Sequence, residues 1–188
     1  MAKTIKLIIG STRQNRIAPA IATWVEKNAA QADITLEVVD LKEVNLPAFD
    51  APVPPAYAPT STEDGKKWAE VVGSADGFVF LTAEYNRSIP SALKNAIDYL
   101  TTEWKEKPAA IVSYGYVDGG KAATAHLSDI LGWHKMHIVE PTIALQLTQD
   151  MFNEDGSFKN TDEAFSANTE MLTEAINQLS AVEQLVQA

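Results

Sequence analysis

The chain has 188 residues, 46% of them hydrophobic, enough to bury one sizeable core, and nothing in it marks a boundary between independent domains, so residues 1–188 are read as one domain. A formal net charge of −10 argues against a nucleic-acid surface or a polybasic membrane patch, both of which need clustered Lys and Arg, and leaves small solutes as the expected partners. There is no cysteine, hence no disulfide, thiolate nucleophile or Cys-ligated metal; no apolar run is long enough for a signal peptide or membrane span, and a soluble, unprocessed cytoplasmic protein is expected.

Lys6-Leu-Ile-Ile-Gly10 is an apolar strand that runs into the polar, doubly basic turn Ser11-Thr-Arg13-Gln-Asn-Arg16. Ile17, Ile21, Trp24 and Val25 then fall at helical spacing, with Pro19 in the first turn, so a helix is predicted from about Ile17 to Ala30. The start of such a helix presents unpaired N–H groups and a positive dipole end, and no acidic residue precedes Glu26; with Ser11, Arg13 and Arg16 this makes a phosphate site. Ile34 to Asp40 alternates apolar with polar residues and reads as an edge strand. The proline-rich stretch from Leu41 to Pro59 reads as a long surface loop.

Thr60-Ser-Thr-Glu63 has the pattern of a capping box ahead of a helix carrying Trp68, Val71, Val72 and Ala75 and ending near Ser74. Gly77 to Thr82 is apolar throughout, as an interior strand of a parallel sheet should be, and empties into Ala83-Glu-Tyr-Asn-Arg-Ser-Ile-Pro90. Pro90 suits the first turn of a helix with Leu93, Ala96, Ile97 and Leu100. Ala109 to Ser113 is again apolar and meets Tyr114-Gly-Tyr-Val-Asp-Gly-Gly120 before Ala123, Leu127, Ile130 and Leu131 resume helical spacing. Met136 to Ala144 reads as a single strand on the other edge and Asn153 to Gly156 as a turn. Asn160 with Glu163 caps a last helix whose stripe is Phe165, Leu172, Ile176, Leu179, Val182 and Val186.

Five strands alternating with five helices predict a doubly wound α/β domain: a five-stranded parallel sheet with helices on both faces. The three wholly apolar strands belong in the middle and the two alternating ones at the edges, which gives the flavodoxin-like order 2-1-3-4-5. Ligands of such sheets bind beyond the carboxyl ends of the central strands, and here those ends are the three loops after Ile9, Thr82 and Ser113. A phosphate joined to a flat polar ring suits them. His134 and His137 leading into a strand point apart and do not make a metal site. Fingerprints of Rossmann dehydrogenases, P-loop NTPases and α/β-hydrolases are absent.

Gly10-Ser-Thr-Arg13, Glu84-Tyr-Asn-Arg-Ser-Ile-Pro90 with Leu93-Lys-Asn-Ala-Ile-Asp98, and Ser113-Tyr-Gly115 to Gly119-Gly120 together resemble the NAD(P)H-dependent FMN reductase family, which includes bacterial quinone, chromate and azo-dye reductases. The resemblance runs from about Lys3 to Leu147 and implies non-covalent FMN, NADPH or NADH as co-substrate, and a homodimer or homotetramer. Ser11, Arg13, Arg16 and Ile17 would hold the FMN phosphate; Glu84, Tyr85, Asn86 and Ser88 would line the ring or ribityl chain; Ser113, Tyr114, Gly115, Gly119 and Gly120 would approach the ring's other edge. The chain departs from the family pattern at Ala83, where many relatives have proline, and at Arg16, where many have serine; a guanidinium can stand in for a hydroxyl at a phosphate. By this resemblance hydride passes from the nicotinamide through the flavin to free flavin, a quinone or another small acceptor, with loop N–H groups after Thr82 and Ser113 stabilising the reduced ring and no catalytic acid or base. Tyr116 and the loop from Leu41 to Pro59 are expected to shape acceptor access. The alternative reading is an FMN-binding electron carrier or redox sensor that does not itself oxidise a nicotinamide.

Overall fold

The opening apolar run forms β1 (Lys3–Ile9), flanked by parallel strands on both sides, in a computed structural model that describes residues 2–30 and 33–181. In chain order there follow α1 (Ala18–Ala29), β2 (Ile34–Asp40), α2 (Leu41–Val44), α3 (Glu63–Gly73), β3 (Gly77–Ala83), α4 (Ser91–Asp98), β4 (Pro108–Gly115) and α5 (Lys121–Trp133). The chain continues with β5 (His137–Ile138), β6 (Ile143–Gln146), α6 (Thr161–Ala164) and α7 (Thr169–Ala181). All strand pairs are parallel, and the order is β2-β1-β3-β4-β5, with β6 also pairing with β4. The predicted order therefore holds, with one strand more than predicted.

Burial explains the order. Every residue of β3 is buried, as is all of β4 except Gly115, whereas no residue of β2 is fully buried and its positions are half-buried or exposed along the edge. Side chains of alternating parity feed two cores. Ile5, Leu7, Ile9, Val79 and Leu81 pack with Ile21, Trp24 and Val25 of α1 and with Leu172, Ile176 and Leu179 of α7. Ile8, Phe78, Phe80 and Ile111 pack on the other face with Trp68 of α3, Leu93 and Ile97 of α4, and Leu127 and Leu131 of α5.

Five local expectations are corrected. The stretch from Leu41 to Pro59 is not all loop. Asp40 accepts from the Lys42 N–H and Asn45 closes the turn at φ 50, so capping residues at both ends make α2 before the first proline arrives. The cap of α3 is Thr62, whose hydroxyl reaches the Gly65 N–H at 3.1 Å, two residues later than the expected Thr60. Pro90 sits at the N-cap of α4, one place before the first turn, and Leu100 lies beyond the end of that helix. The strand expected over Met136–Ala144 is split around a cis Glu140–Pro141 bond, where proline has no N–H to give the ladder, leaving β5 and β6 to pair with successive parts of β4.

The last helix is also divided. Asn160 caps α6 through the Asp162 and Glu163 N–H groups, but Phe165 then turns inward onto Trp24, 5.3 Å between ring centroids, and α7 begins at Thr169 after a short 3₁₀ turn. Leu172, Ile176 and Leu179 form the buried stripe; Val182 and Val186 lie outside the described residues.

Candidate functional site

Sheet register brings the three loops together. Ile9 is level with Leu81 and Ala83 with Tyr114; the Gly10 N–H donates to the Leu81 carbonyl at 2.9 Å and the Glu84 N–H to the Tyr114 carbonyl at 3.1 Å. The loops leaving β1, β3 and β4 thus start side by side at one end of the sheet.

The first loop runs to Ile17, the N-cap of α1. That helix has no side-chain cap and no acid in its first turn, so its positive end is open to an anion. Ser11 is buried, with its hydroxyl 2.7 Å from the Tyr85 hydroxyl, while Arg13 is exposed at the cavity mouth. Arg16 turns to the end of β2 and pairs with Asp40; its other terminal nitrogen, Nη1, is buried with no protein partner.

The second loop is a tight turn, with reciprocal bonds between the backbones of Tyr85 and Ser88 at 2.8 and 3.0 Å. Asn86 (φ 49) and Arg87 (φ 67) occupy its two central positions in the left-handed region, as a type I′ turn requires. Glu84 points away from the turn to the start of α5, where its carboxylate accepts from the Ala122 and Ala123 N–H groups at 3.1 and 3.4 Å. Arg87 bridges Glu84 and Asp118, each at 3.5 Å, so the second and third loops are tied to each other. Ser88 lies on the outer side, 2.9 Å from His126 Nδ1.

The third loop folds back on its strand. Ser113, fully buried, donates to the Gly119 carbonyl at 2.8 Å and lies 2.9 Å from the Thr124 hydroxyl that donates to it. Gly119 at φ 72 has no room for a side chain: a Cβ there would come within 2.7 Å of the Ala144 backbone.

Between the loops lies a cavity of about 520 Å³. Arg13, Asn15 and Ile17 form one wall, Ala83, Glu84 and Tyr85 a second, and Tyr114, Gly115 and Tyr116 a third. Burial pushes the Tyr114 phenol up to about 12, against the pull of its hydrogen bond with Ser11, so the ring stays neutral at the floor of the site. The predicted residues therefore fall into two groups. Arg13, Ile17, Glu84, Tyr85, Tyr114 and Gly115 line the cavity, whereas Ser11, Arg16, Asn86, Ser88, Ser113, Gly119 and Gly120 stand behind or beside it and fix the loops. Among the described residues no cluster of three or more His, Cys, Asp or Glu side chains could hold a metal.

The fourth wall escaped the sequence reading. Leu147, Gln149, Phe152, Asn153, Glu154 and Gly156 complete the lining, and the Leu147 N–H donates to the Gly115 carbonyl at 2.9 Å. The usable signal was the pair Phe152 and Phe158 flanking the Asn153–Gly156 turn, which marks a small hairpin. A second trough of about 440 Å³ lies on the far side of the first loop, against Thr12, Gln14, Lys42 and Asn95. An open helix start, a free guanidinium and a slot between two backbone turns fit a molecule with a phosphate at one end and a flat polar ring at the other.

The profile of the family described as NADPH-dependent FMN reductase matches residues 4–150. The chain is similar to the NAD(P)H-dependent FMN reductase ntnL of Nectria sp, 40% identical over 152 residues, which cover 77% of this chain and 75% of the relative. It is also similar to a 2-hydroxy-1,4-benzoquinone reductase of Burkholderia sp, 26% identical over 170 residues, covering 86% and 88%. Among solved structures, FerB of Paracoccus denitrificans, a flavoenzyme NAD(P)H:(acceptor) oxidoreductase, superposes with a TM-score of 0.71 at 25% identity over 94% of this chain and 98% of that one.

Proposed function

The chain belongs to the NADPH-dependent FMN reductase family, and from that premise we propose how its residues hold FMN and what they reduce. It is an NAD(P)H-dependent oxidoreductase that works through FMN, and quinones or other small molecules are its acceptors. Bound FMN supplies the chemistry of taking a hydride from NAD(P)H and passing two electrons on. The protein binds, orients and shields.

The single observation that carries the assignment of residues is the convergence of three strand-end loops on one cavity whose first wall is cationic and uncapped. Arg13 and the open start of α1 would hold the phosphate, with Ile17 beside it. Tyr85, Tyr114 and Gly115 would face the ring, and Ser11 would fix Tyr85 through the bond between their hydroxyls. Arg16, held by Asp40, would support the phosphate loop from behind, with its orphaned Nη1 as a reserve donor. Ser88, Asn86, Ser113, Gly119 and Gly120 would act by shaping the two ring loops. The Glu84 and Tyr85 N–H groups are spent on the Tyr114 and Ser88 carbonyls, so other backbone donors must face the flavin. The Glu84 charge is offset by α5 and Arg87, which keeps it from repelling electrons arriving at the ring. No side chain is assigned as catalytic acid or base.

We read the protein further as a cytoplasmic homodimer or homotetramer. Trp133 and Tyr57, each 85% exposed, are large apolar surfaces for a partner copy to cover. No helix among the described residues is long and apolar enough to cross a membrane. Titrating apoprotein with FMN tests the residue assignment: Arg13→Ala should weaken binding about tenfold or more, in line with a lost charge-assisted contact of about 1.5–3 kcal/mol. Unchanged quenching of flavin fluorescence would refute it. Anaerobic mixing with NADPH separates a reductase from an electron carrier, since only the reductase loses its flavin colour rapidly.

A further inference from the structure

Phe152, Asn153, Glu154 and Gly156 of the fourth wall come from residues 151–159, beyond the segment matched by the family profile, which ends at 150. This piece is a rigid finger. Phe152 and Phe158 pair across it; the Asn153 N–H donates to the Ser157 carbonyl at 2.8 Å, and the Lys159 N–H returns to the Met151 carbonyl at 2.9 Å. Asp155 closes the tip by accepting from the Ser157 N–H at 2.9 Å and its hydroxyl at 2.6 Å. Aromatic rings then run from the cavity into the core, with centroids 4.7 Å apart from Phe152 to Phe158, 5.4 Å from Phe158 to Phe165 and 5.3 Å from Phe165 to Trp24. Phe152 is therefore braced from behind, half-buried, with Tyr116 6.4 Å away across the mouth.

We propose that this finger selects the electron acceptor: Phe152 is the flat contact for a neutral quinone of one or two rings, and Glu154 at the rim turns away anionic acceptors. The inference rests on the reductase reading above. A rigid aromatic face braced by other rings favours a planar guest over a bulky one. Glu154 lines the cavity, Asp150 and Asp155 flank it with carboxyls held below the usual range by hydrogen bonds from Thr148 and Ser157, and the chain carries a formal charge of −10. The quinone gains two electrons and two protons, the electrons and one proton as a hydride equivalent from NAD(P)H and the second proton as H⁺ from bulk solvent, and leaves as the hydroquinone while NAD(P)⁺ is released.

The test uses FMN-loaded protein with a neutral naphthoquinone and its sulfonate. Equilibrium binding to the oxidised protein is read from the perturbed flavin absorbance, alongside kcat/KM for each acceptor. Phe152→Leu should weaken naphthoquinone binding about 3- to 10-fold and lower kcat/KM for it in step, while Phe152→Tyr stays within about twofold. Glu154→Gln should narrow the preference for the neutral quinone about threefold at low salt, and less at high salt. Naphthoquinone binding unchanged by Phe152→Leu would overturn the proposal, as would an equal loss of FMN affinity, which would make Phe152 a flavin contact. If NADPH failed to bleach the wild-type flavin, the reductase reading would fall, while the binding measurement would still judge the finger.

Discussion

Removing the Glu84 carboxylate separates a structural role from a direct contact with the ring. In the structure it satisfies two N–H groups at the start of α5, at 3.1 and 3.4 Å, and is 11% exposed. Glu84→Ala leaves both donors without their partner, a loss comparable to deleting an N-cap at about 1 kcal/mol. Losing the negative charge at the helix start adds about 0.5 kcal/mol. The link to Arg87 contributes little, because that guanidinium is 67% exposed and its 3.5 Å pair is screened. The alanine variant should thus lose about 1.5 kcal/mol, which for a domain of this size is a fall in Tm of about 3–6 °C. Glu84→Gln keeps an acceptor and gives up the charge, so its fall should be about 1–2 °C. Thermal unfolding of the apoprotein followed by circular dichroism measures both without the stabilisation that FMN would add. Equal losses in the two variants, or none in alanine, would refute the capping argument.

Arg16→Ala should destabilise the fold by about 3 kcal/mol, because it leaves the Asp40 carboxylate, only 18% exposed, without its counter-charge and with the Lys42 N–H as its remaining hydrogen bond; Asp40→Ala in the same background should cost far less than it does alone, a coupling that denaturant titration of the four proteins would reveal. His134 gives the pH dependence. Burial is the main cause that lowers its pKa below 6.5, and its Nδ1 has no partner, so the native state resists a proton that the unfolded chain accepts. Stability from this group is complete above about pH 6.5 and is lost as pH falls through the lower native value; His134→Gln should flatten the acid side of the stability profile, and an unchanged slope would contradict this.

The sheet was legible because burial leaves a direct mark on composition: β3 and β4 are apolar along most of their length, with Thr82 and Ser113 as buried polar positions near their carboxyl ends, whereas β2 mixes polar with apolar residues because it is partly exposed. Loop placement followed from strand order. Hidden were features set by partners distant in sequence. No local pattern shows that Arg16 pairs with Asp40, 24 residues on, or that the Glu84 carboxylate accepts from the N–H groups at the start of α5. Trp104 has no periodic neighbours, yet it is fully buried against Phe78, with its ring N–H donating to the Ile97 carbonyl at 3.2 Å. The finger was missed for the same reason, since Phe152, Phe158 and Phe165 meet through turns rather than through a helical or strand period.

The most direct test of the central claim is a crystal structure of the protein grown with FMN. The phosphate should lie within hydrogen-bond reach of Arg13 at the start of α1, with the ring beside Tyr85 and Gly115. FMN seated instead in the trough between Thr12 and Lys42, or a cavity at Arg13 empty at saturating FMN, would contradict the account.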